Sequence, residues 1–132
     1  MAKDVVLLVI DDYQRNINRK KEFPHPSWSE IDCAVQGLDN QGRSSMAICN
    51  GDEDVLAIGG GEPLYHVSLT TGRQSFVLTN GSADHQLIEV IIGGVETPLP
   101  ANYLVSRETA LAAAQSFWSG TLNVESQEWL EV

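Results

Sequence analysis

The stretch SRETALAAAQSFWSG, residues 106–120, contains the signals of a complete helix in the order in which a helix needs them. Ser106 suits the N-cap because its hydroxyl can accept a hydrogen bond from a backbone N–H of the first turn. Glu108 complements the positive end of the helix dipole, and Gly120 stands where a residue in the left-handed conformation commonly ends a helix. The stretch therefore predicts a helix whose apolar face carries Ala110, Leu111, Ala114, Phe117 and Trp118.

Upstream of this helix, short apolar runs alternate with turn residues and predict a series of strands. Asn50-Gly51 predicts a hairpin between the first two strands, and Gly59-Gly60-Gly61 is expected to break the second. Because the connections are too short for helical crossovers, the sheet should be mainly antiparallel. The strands are expected at residues 44–49, 54–58, 64–69, 74–79 and 86–92.

The segments next to the helix are less regular. Two prolines within residues 95–100 predict an extended or looped segment, because proline has no backbone N–H to donate to a sheet. Residues 103–105 are compatible with a short edge strand. The tail through Trp129 is expected to return as a final strand.

The N-terminal part of the chain begins with an apolar run. Residues 4–13 predict a first strand, and residues 14–21 predict a polar, basic loop. Ser27 or Ser29 can cap a short helix that runs through Gly37. The first strand and this helix would add to the sheet and to its helical cover.

Together these patterns predict one domain, residues 1–132, with an α+β fold. The expected architecture is a single, mainly antiparallel sheet of short strands. One helix from the N-terminal half and one C-terminal helix pack on it. We interpret Trp28, Trp118 and Trp129 as core residues, since residues 108–132 contain no Lys or Arg that would accompany a nucleic-acid stacking platform.

The two cysteines, Cys33 and Cys49, both stand among apolar neighbours. We interpret them as two buried thiols in a reducing compartment, and a single disulfide is the alternative. Met1-Ala2-Lys3-Asp4 lacks the basic start of a signal peptide, and no apolar run reaches the length of a membrane span. We therefore expect a cytoplasmic protein without a membrane partner.

The net charge of −10 is distributed unevenly. Residues 1–43 carry seven acids and six bases, whereas residues 44–132 carry eleven acids against only Arg73 and Arg107. Such a surface repels the phosphates of nucleic acid and steers a basic partner toward itself. The charge indicates either an interaction with a basic partner or simply a soluble acidic protein.

The residues that could perform chemistry do not form a known pattern. The Gly59-Gly60-Gly61 run is followed by Glu62-Pro63 where a phosphate-binding loop needs Gly-Lys-Ser or Gly-Lys-Thr. The sequence also has no Gly-x-Ser-x-Gly motif. We expect no catalytic residue, no metal site and no cofactor, and a small enzyme with an unrecognised site is the alternative. None of the histidines has a metal-site spacing: His25, His66 and His85.

The last third of the chain also carries an ordered series of motifs. They are Gly93-Gly94, Glu96-Thr97-Pro98, Leu104-Val105-Ser106, the alanine-rich helix with Phe117, then Gly120 and a near-terminal Trp129. In their order and spacing, residues 93–129 resemble the bacterial polymorphic-toxin immunity proteins of the first-numbered immunity family. One departure is Ser119-Gly120-Thr121-Leu122, where family members often have Thr-Gly followed by a basic residue and proline.

The resemblance implies a non-catalytic protein that binds a toxin of the deaminase superfamily as a 1:1 heterodimer and occludes its active site. An inhibitor of a nuclease-type toxin, or another acidic interaction module, is the alternative. Because loops that follow the predicted strands hold most of the unpaired acids, we hypothesise that loop tips form the toxin-facing surface. Its residues would be Asp52, Glu53, Asp54, Glu62 and Asp84, with Tyr65 and His66 as larger contacts.

Overall fold

Strands and two helices make up most of the part of the chain that the structure describes. The structure is a computed structural model and describes residues 5–51, 54–125 and 128–132. A 3₁₀ turn, Ala101–Tyr103, precedes the second helix. The elements in chain order are β1 (Val5–Ile10), β2 (Tyr13–Gln14), β3 (Ile17–Asn18), β4 (Lys21–Pro24), α1 (Trp28–Gln36), β5 (Ser45–Asn50), β6 (Asp54–Gly61), β7 (Leu64–Thr71), β8 (Gln74–Leu78), β9 (Leu87–Ile92), β10 (Val95–Pro100), α2 (Arg107–Ser119) and β11 (Trp129–Glu131).

Within these residues, seven strands form one sheet in the order β11-β8-β7-β6-β5-β1-β4. Every neighbouring pair in it is antiparallel. The strands β2 and β3 form a small separate hairpin, and β9 and β10 form a longer one. The predicted α+β fold, with a large antiparallel sheet of short strands and two helices, is therefore confirmed.

The pairing register separates the two faces of the sheet, because directly paired residues point to the same side. One row crosses the sheet through Leu8, Ile48, Leu56, Leu69 and Phe76, and all five side chains are buried in the core that also contains both helices. The residues before and after each of these in its strand face the other side of the sheet, because side chains alternate along a strand. The row on that rear face runs through Glu22, Val9, Ala47, Ala57, Ser68, Val77 and Leu130.

Both helices begin and end where the sequence predicts. In α1, Glu30 N donates to Ser27 Oγ at 3.2 Å, and Ser27 N donates to Glu30 Oε1 at 3.0 Å, which completes a capping box. In α2, Thr109 N donates to Ser106 Oγ at 3.2 Å. Gly120 has φ 75° and ψ 20°, the left-handed conformation expected after the last turn.

The glycine run does not end its strand, so that prediction is wrong. β6 continues to Gly61, with Gly59 opposite His66 and Gly61 opposite Leu64. The glycines serve close approach rather than a turn. A Cβ on Gly59 would lie 2.9 Å from the side chain of Ile92, which packs across the rear face at this point.

Two shorter segments also differ from expectation. The region 14–21, expected as a loop, contains β3, the end of β2 and the beginning of β4. The expected edge strand at residues 103–105 is reduced to one bridge between Val105 and Tyr65, because the 3₁₀ turn occupies the preceding residues. The prolines of β10 do not prevent it from pairing with β9 along its whole length.

The aromatic core is smaller than expected. Phe117 is buried, but Trp118 is 37% exposed, and Trp28 and Trp129 are half-buried. Trp118 lies near the end of α2, where its Nε1 donates to the carbonyl of Pro26 at 3.2 Å and its ring centroid is 6.1 Å from that of Trp28. The two indoles therefore cover the edge of the core and do not fill it.

The cysteines are not both buried. Cys33 is exposed on α1, and Cys49 is half-buried on β5, where burial raises the pKa of its thiol. Both are free thiols. Cys49 pairs with Leu7 and Val55 on the rear face, whereas α1 covers the opposite face, so the sheet separates the two sulfur atoms.

Candidate interaction surface

The loop acids singled out from the sequence lie at several loops. Asp52 and Glu53 lie outside the described residues. Asp54 begins β6 and Glu62 follows its end, so the length of an eight-residue strand, roughly 25 Å, separates them. The toxin-facing surface stays a prediction, and its acids among the described residues, Asp54, Glu62 and Asp84, lie at three different loops.

Asp54 and Asp84 both take part in local hydrogen bonds that shape their loops. Asn50 Nδ2 donates to Asp54 Oδ2 at 3.0 Å across the β5–β6 turn. Gln86 N donates to Asp84 Oδ1 at 2.9 Å, and the carbonyl of Asp84 accepts from Asn102 N at 2.9 Å. Asp84 is exposed and Asp54 is half-buried. Each carboxylate thus has a structural role whether or not a partner contacts it.

Glu62 and Tyr65 come together at the beginning of α2. Arg107 donates to the carboxylate of Glu62 through Nη2 and to the hydroxyl of Tyr65 through Nε, the latter at 3.3 Å. Glu62 is exposed, but Tyr65 is fully buried in the core. Tyr65 is therefore corrected from a surface contact to a core residue. In β7 it stands opposite Gly60.

His66 lies on the rear face of the sheet and is half-buried. Its Nδ1 is 3.3 Å from the carbonyl oxygen of Tyr103. Burial lowers the pKa of the imidazole below its usual value, although the contact with Tyr103 acts in the opposite direction. The folded protein therefore favours the neutral form of His66.

This preference predicts a pH-dependent stability. The unfolded chain takes up a proton on His66 near its ordinary pKa of about 6.5, while the folded chain takes it up only at lower pH. We expect the free energy of unfolding to fall as the pH drops below that value, and to fall less in His66→Gln. Urea denaturation of both proteins between roughly pH 7.5 and pH 5 measures the difference. Equal losses would show that other groups, chiefly carboxylates common to both, account for the whole effect.

The β9–β10 hairpin crosses the rear face and is anchored there at β9 and at the turn between the two strands. Asn40 Oδ1 accepts from Ile91 N at 2.7 Å, and the buried Ser44 Oγ accepts from Gly94 N at 2.9 Å. Ile92 packs on Gly59, and Val90 is buried. One face of the hairpin therefore packs on the body of the protein.

The opposite face of the hairpin brings together two carboxylates, Glu89 and Glu96. Glu96 pairs with Ile91 and Glu89 with Pro98, so the two acids are diagonal neighbours on the same face, and both are exposed. A hydrogen bond with Glu96 raises the pKa of Glu89, and charge repulsion between the two acts in the same direction. Among the described residues, Glu89 is the carboxylate whose pKa is raised by a neighbouring acid.

Sequence reasoning missed this pair because it left residues 95–100 unpaired. The available signal was Gly93-Gly94, which fits a two-residue hairpin turn. Counting outward from that turn places Ile92 opposite Val95 and Glu96 opposite Ile91. The two prolines argued against a strand, yet proline is tolerated in an edge strand when its missing N–H would point away from the partner.

Within residues 5–51, 54–125 and 128–132, no three His, Cys, Asp or Glu side chains converge as they would around a metal ion. None of the helices there is long and apolar enough to cross a membrane. Comparison with protein-family models found no match, and neither did a search of the curated proteins.

Proposed function

We propose that this protein is an immunity protein that binds a cognate bacterial toxin in the cytoplasm as a 1:1 complex. The toxin would be a deaminase that acts on nucleic acid, and binding would occlude its active site. No chemistry on the part of this chain is needed for that role. The proposal extends what the motifs in residues 93–129 imply.

The observation that carries the proposal is the excess of acid in residues 44–132, eleven carboxylates against two arginines. One of those arginines, Arg107, already pairs with Glu62. A deaminase must admit a nucleotide strand to its zinc site, and a groove that holds phosphates is positively charged. An acidic protein is attracted to such a groove and competes with nucleic acid for it.

Co-expression with the toxin encoded beside this gene tests the proposal. We expect the chain to restore growth and to co-purify with the toxin domain in a 1:1 complex. A toxin variant in which the catalytic glutamate of the zinc site is replaced by alanine should still co-purify, because binding does not depend on turnover. The association rate should fall as the salt concentration rises, since opposite charges steer the encounter.

The toxin's own sequence distinguishes the deaminase from the alternative. A His-x-Glu motif with Pro-Cys-x-x-Cys identifies a zinc deaminase. A nuclease-type toxin would lack these motifs, and its presence would support the alternative form of the proposal, in which this protein inhibits a nuclease. Failure of the wild-type chain either to protect cells or to bind the toxin would overturn both forms.

A further inference from the structure

The outer face of the β9–β10 hairpin is a sheet face that no other described element covers. Alternation along the strands places Ile88, Val90 and Ile92 toward the body and the other residues of β9 away from it. Leu87 is 64% exposed. The outer face is mostly apolar and has the carboxylates of Glu89 and Glu96 at its centre. Its residues are Leu87, Glu89, Ile91, Glu96, Pro98 and Pro100.

The β10 edge of the hairpin is unsuited to strand addition. Ile92 and Val95 flank the two-residue turn and form the closing hydrogen-bonded pair, so every second pair from there is hydrogen-bonded. Pro98 and Pro100 belong to the pairs in between, which are not hydrogen-bonded. At these positions of β10 the backbone N–H of any other residue would point away from β9. Because proline has no N–H, this edge cannot pair regularly with another strand. A partner that approaches from β10 would have to be recognised by the side chains of the outer face.

The hairpin is also fixed before any partner arrives. Asn40 holds β9 to the body by a hydrogen bond to Ile91, and Ser44 holds the turn between the strands by a hydrogen bond to Gly94. A surface that is already rigid loses less conformational entropy on binding. The two carboxylates are therefore held near each other in the free protein, and their repulsion is not relieved by any cation in the described residues.

We propose that the outer face of the β9–β10 hairpin is a protein-docking surface that takes a partner surface with a lysine or arginine set among apolar side chains. This inference rests on the proposed function, in which the partner is the toxin domain. A cation placed between Glu89 and Glu96 removes their repulsion and forms charge-assisted hydrogen bonds. Leu87 and the prolines exclude water around that contact.

Charge argues against the other occupants of this face. A second copy docked through the same face would bring two more carboxylates against Glu89 and Glu96, since an isologous contact places identical patches together. Nucleic acid and anionic lipid surfaces carry the same sign of charge as the pair. A basic protein surface is the occupant that the charge favours.

The test compares two charge reversals that change the net charge equally. One is Glu89→Lys with Glu96→Lys on the hairpin, and the control is Glu125→Lys with Glu131→Lys near the C-terminus, where both acids are exposed. We expect the hairpin variant to weaken binding of the toxin domain by roughly tenfold to a hundredfold, and the control by less than about threefold. Leu87→Ser should weaken binding without changing its salt dependence. Circular dichroism establishes that each variant is folded.

The outcomes separate the two proposals. If the wild type binds the toxin and the hairpin variant binds as well as the control, the docking surface is wrong while the proposed function stands. If both reversals weaken binding equally, only overall charge matters and the docking surface is again wrong. If the wild type does not bind the toxin, both proposals fall. If sedimentation shows that the wild type is a dimer and the hairpin variant is a monomer, the occupant of this face is a second copy of the chain and not the toxin.

Discussion

Gly61→Ala is expected to destabilise the protein by about 3–5 kcal/mol, because it combines backbone strain with overpacking. Gly61 has φ 150°, which side-chain-bearing residues rarely adopt. A Cβ at this position would lie 2.4 Å from the backbone nitrogen of Asn40 and 2.8 Å from backbone atoms of Asp39. Backbone atoms cannot move aside as the end of a flexible side chain can. Urea denaturation followed by circular dichroism measures the loss.

The matched control is Gly81→Ala. Gly81 also has a positive φ, 78°, but a Cβ there would meet no atom within 4 Å. This variant contains the backbone strain without the clash, so we expect a loss of about 1 kcal/mol. A similar loss in both variants would show that the close approach of Asp39 and Asn40 to β6 is unimportant for stability.

Tyr65→Ala is expected to lower the free energy of unfolding by about 3–5 kcal/mol, as is typical when a fully buried aromatic ring is removed. The ring is 0% exposed and packs in the core beneath α2. Tyr65→Phe retains the ring and removes only the hydroxyl that accepts from Arg107, so a loss of about 1 kcal/mol is expected. Thermal and urea denaturation of both variants provide the comparison.

The Tyr65 variants also test its reassignment from surface to core. Under the proposed function, if Tyr65 is only a core residue, toxin binding by the folded fraction of Tyr65→Ala should match the wild type at low temperature. A folded Tyr65→Phe that binds the toxin much more weakly would instead return Tyr65 to the interface. Trp129→Ala is the useful comparison. Its ring is only half-buried, so it should lose less stability than Tyr65→Ala.

Local patterns accounted for the helices and for most strands. Ser27 and Ser106 begin their helices because a cap acts on backbone groups within three residues. The hairpin turn at Asn50-Gly51 is local in the same sense. In contrast, the position at which β6 ends could not be predicted from the residues next to it in the chain. Gly61 remains extended because Leu64 pairs with it and the Asp39–Asn40 backbone packs against it.

The candidate surface was less predictable than the fold. The acidity of residues 44–132 is visible in the sequence, but which acids act together depends on pairing. Glu62 is engaged by Arg107, which is 45 residues away in the chain. Glu89 and Glu96 become neighbours through the β9–β10 register. Tyr65 looked suited to a surface because its alternation in β7 does not by itself say which face the helices cover.

The sequence by itself determined the α+β class, the two capped helices and the charge of the second half, since each depends on residues close in the chain or on composition alone. The tertiary structure decided which face of each strand is core, why Gly59 and Gly61 must lack a side chain, and which carboxylates stand together. Those features depend on contacts between distant segments. The helix at residues 106–120 contributes to the core of that fold, while the hairpin before it carries the surface to which we assign a partner.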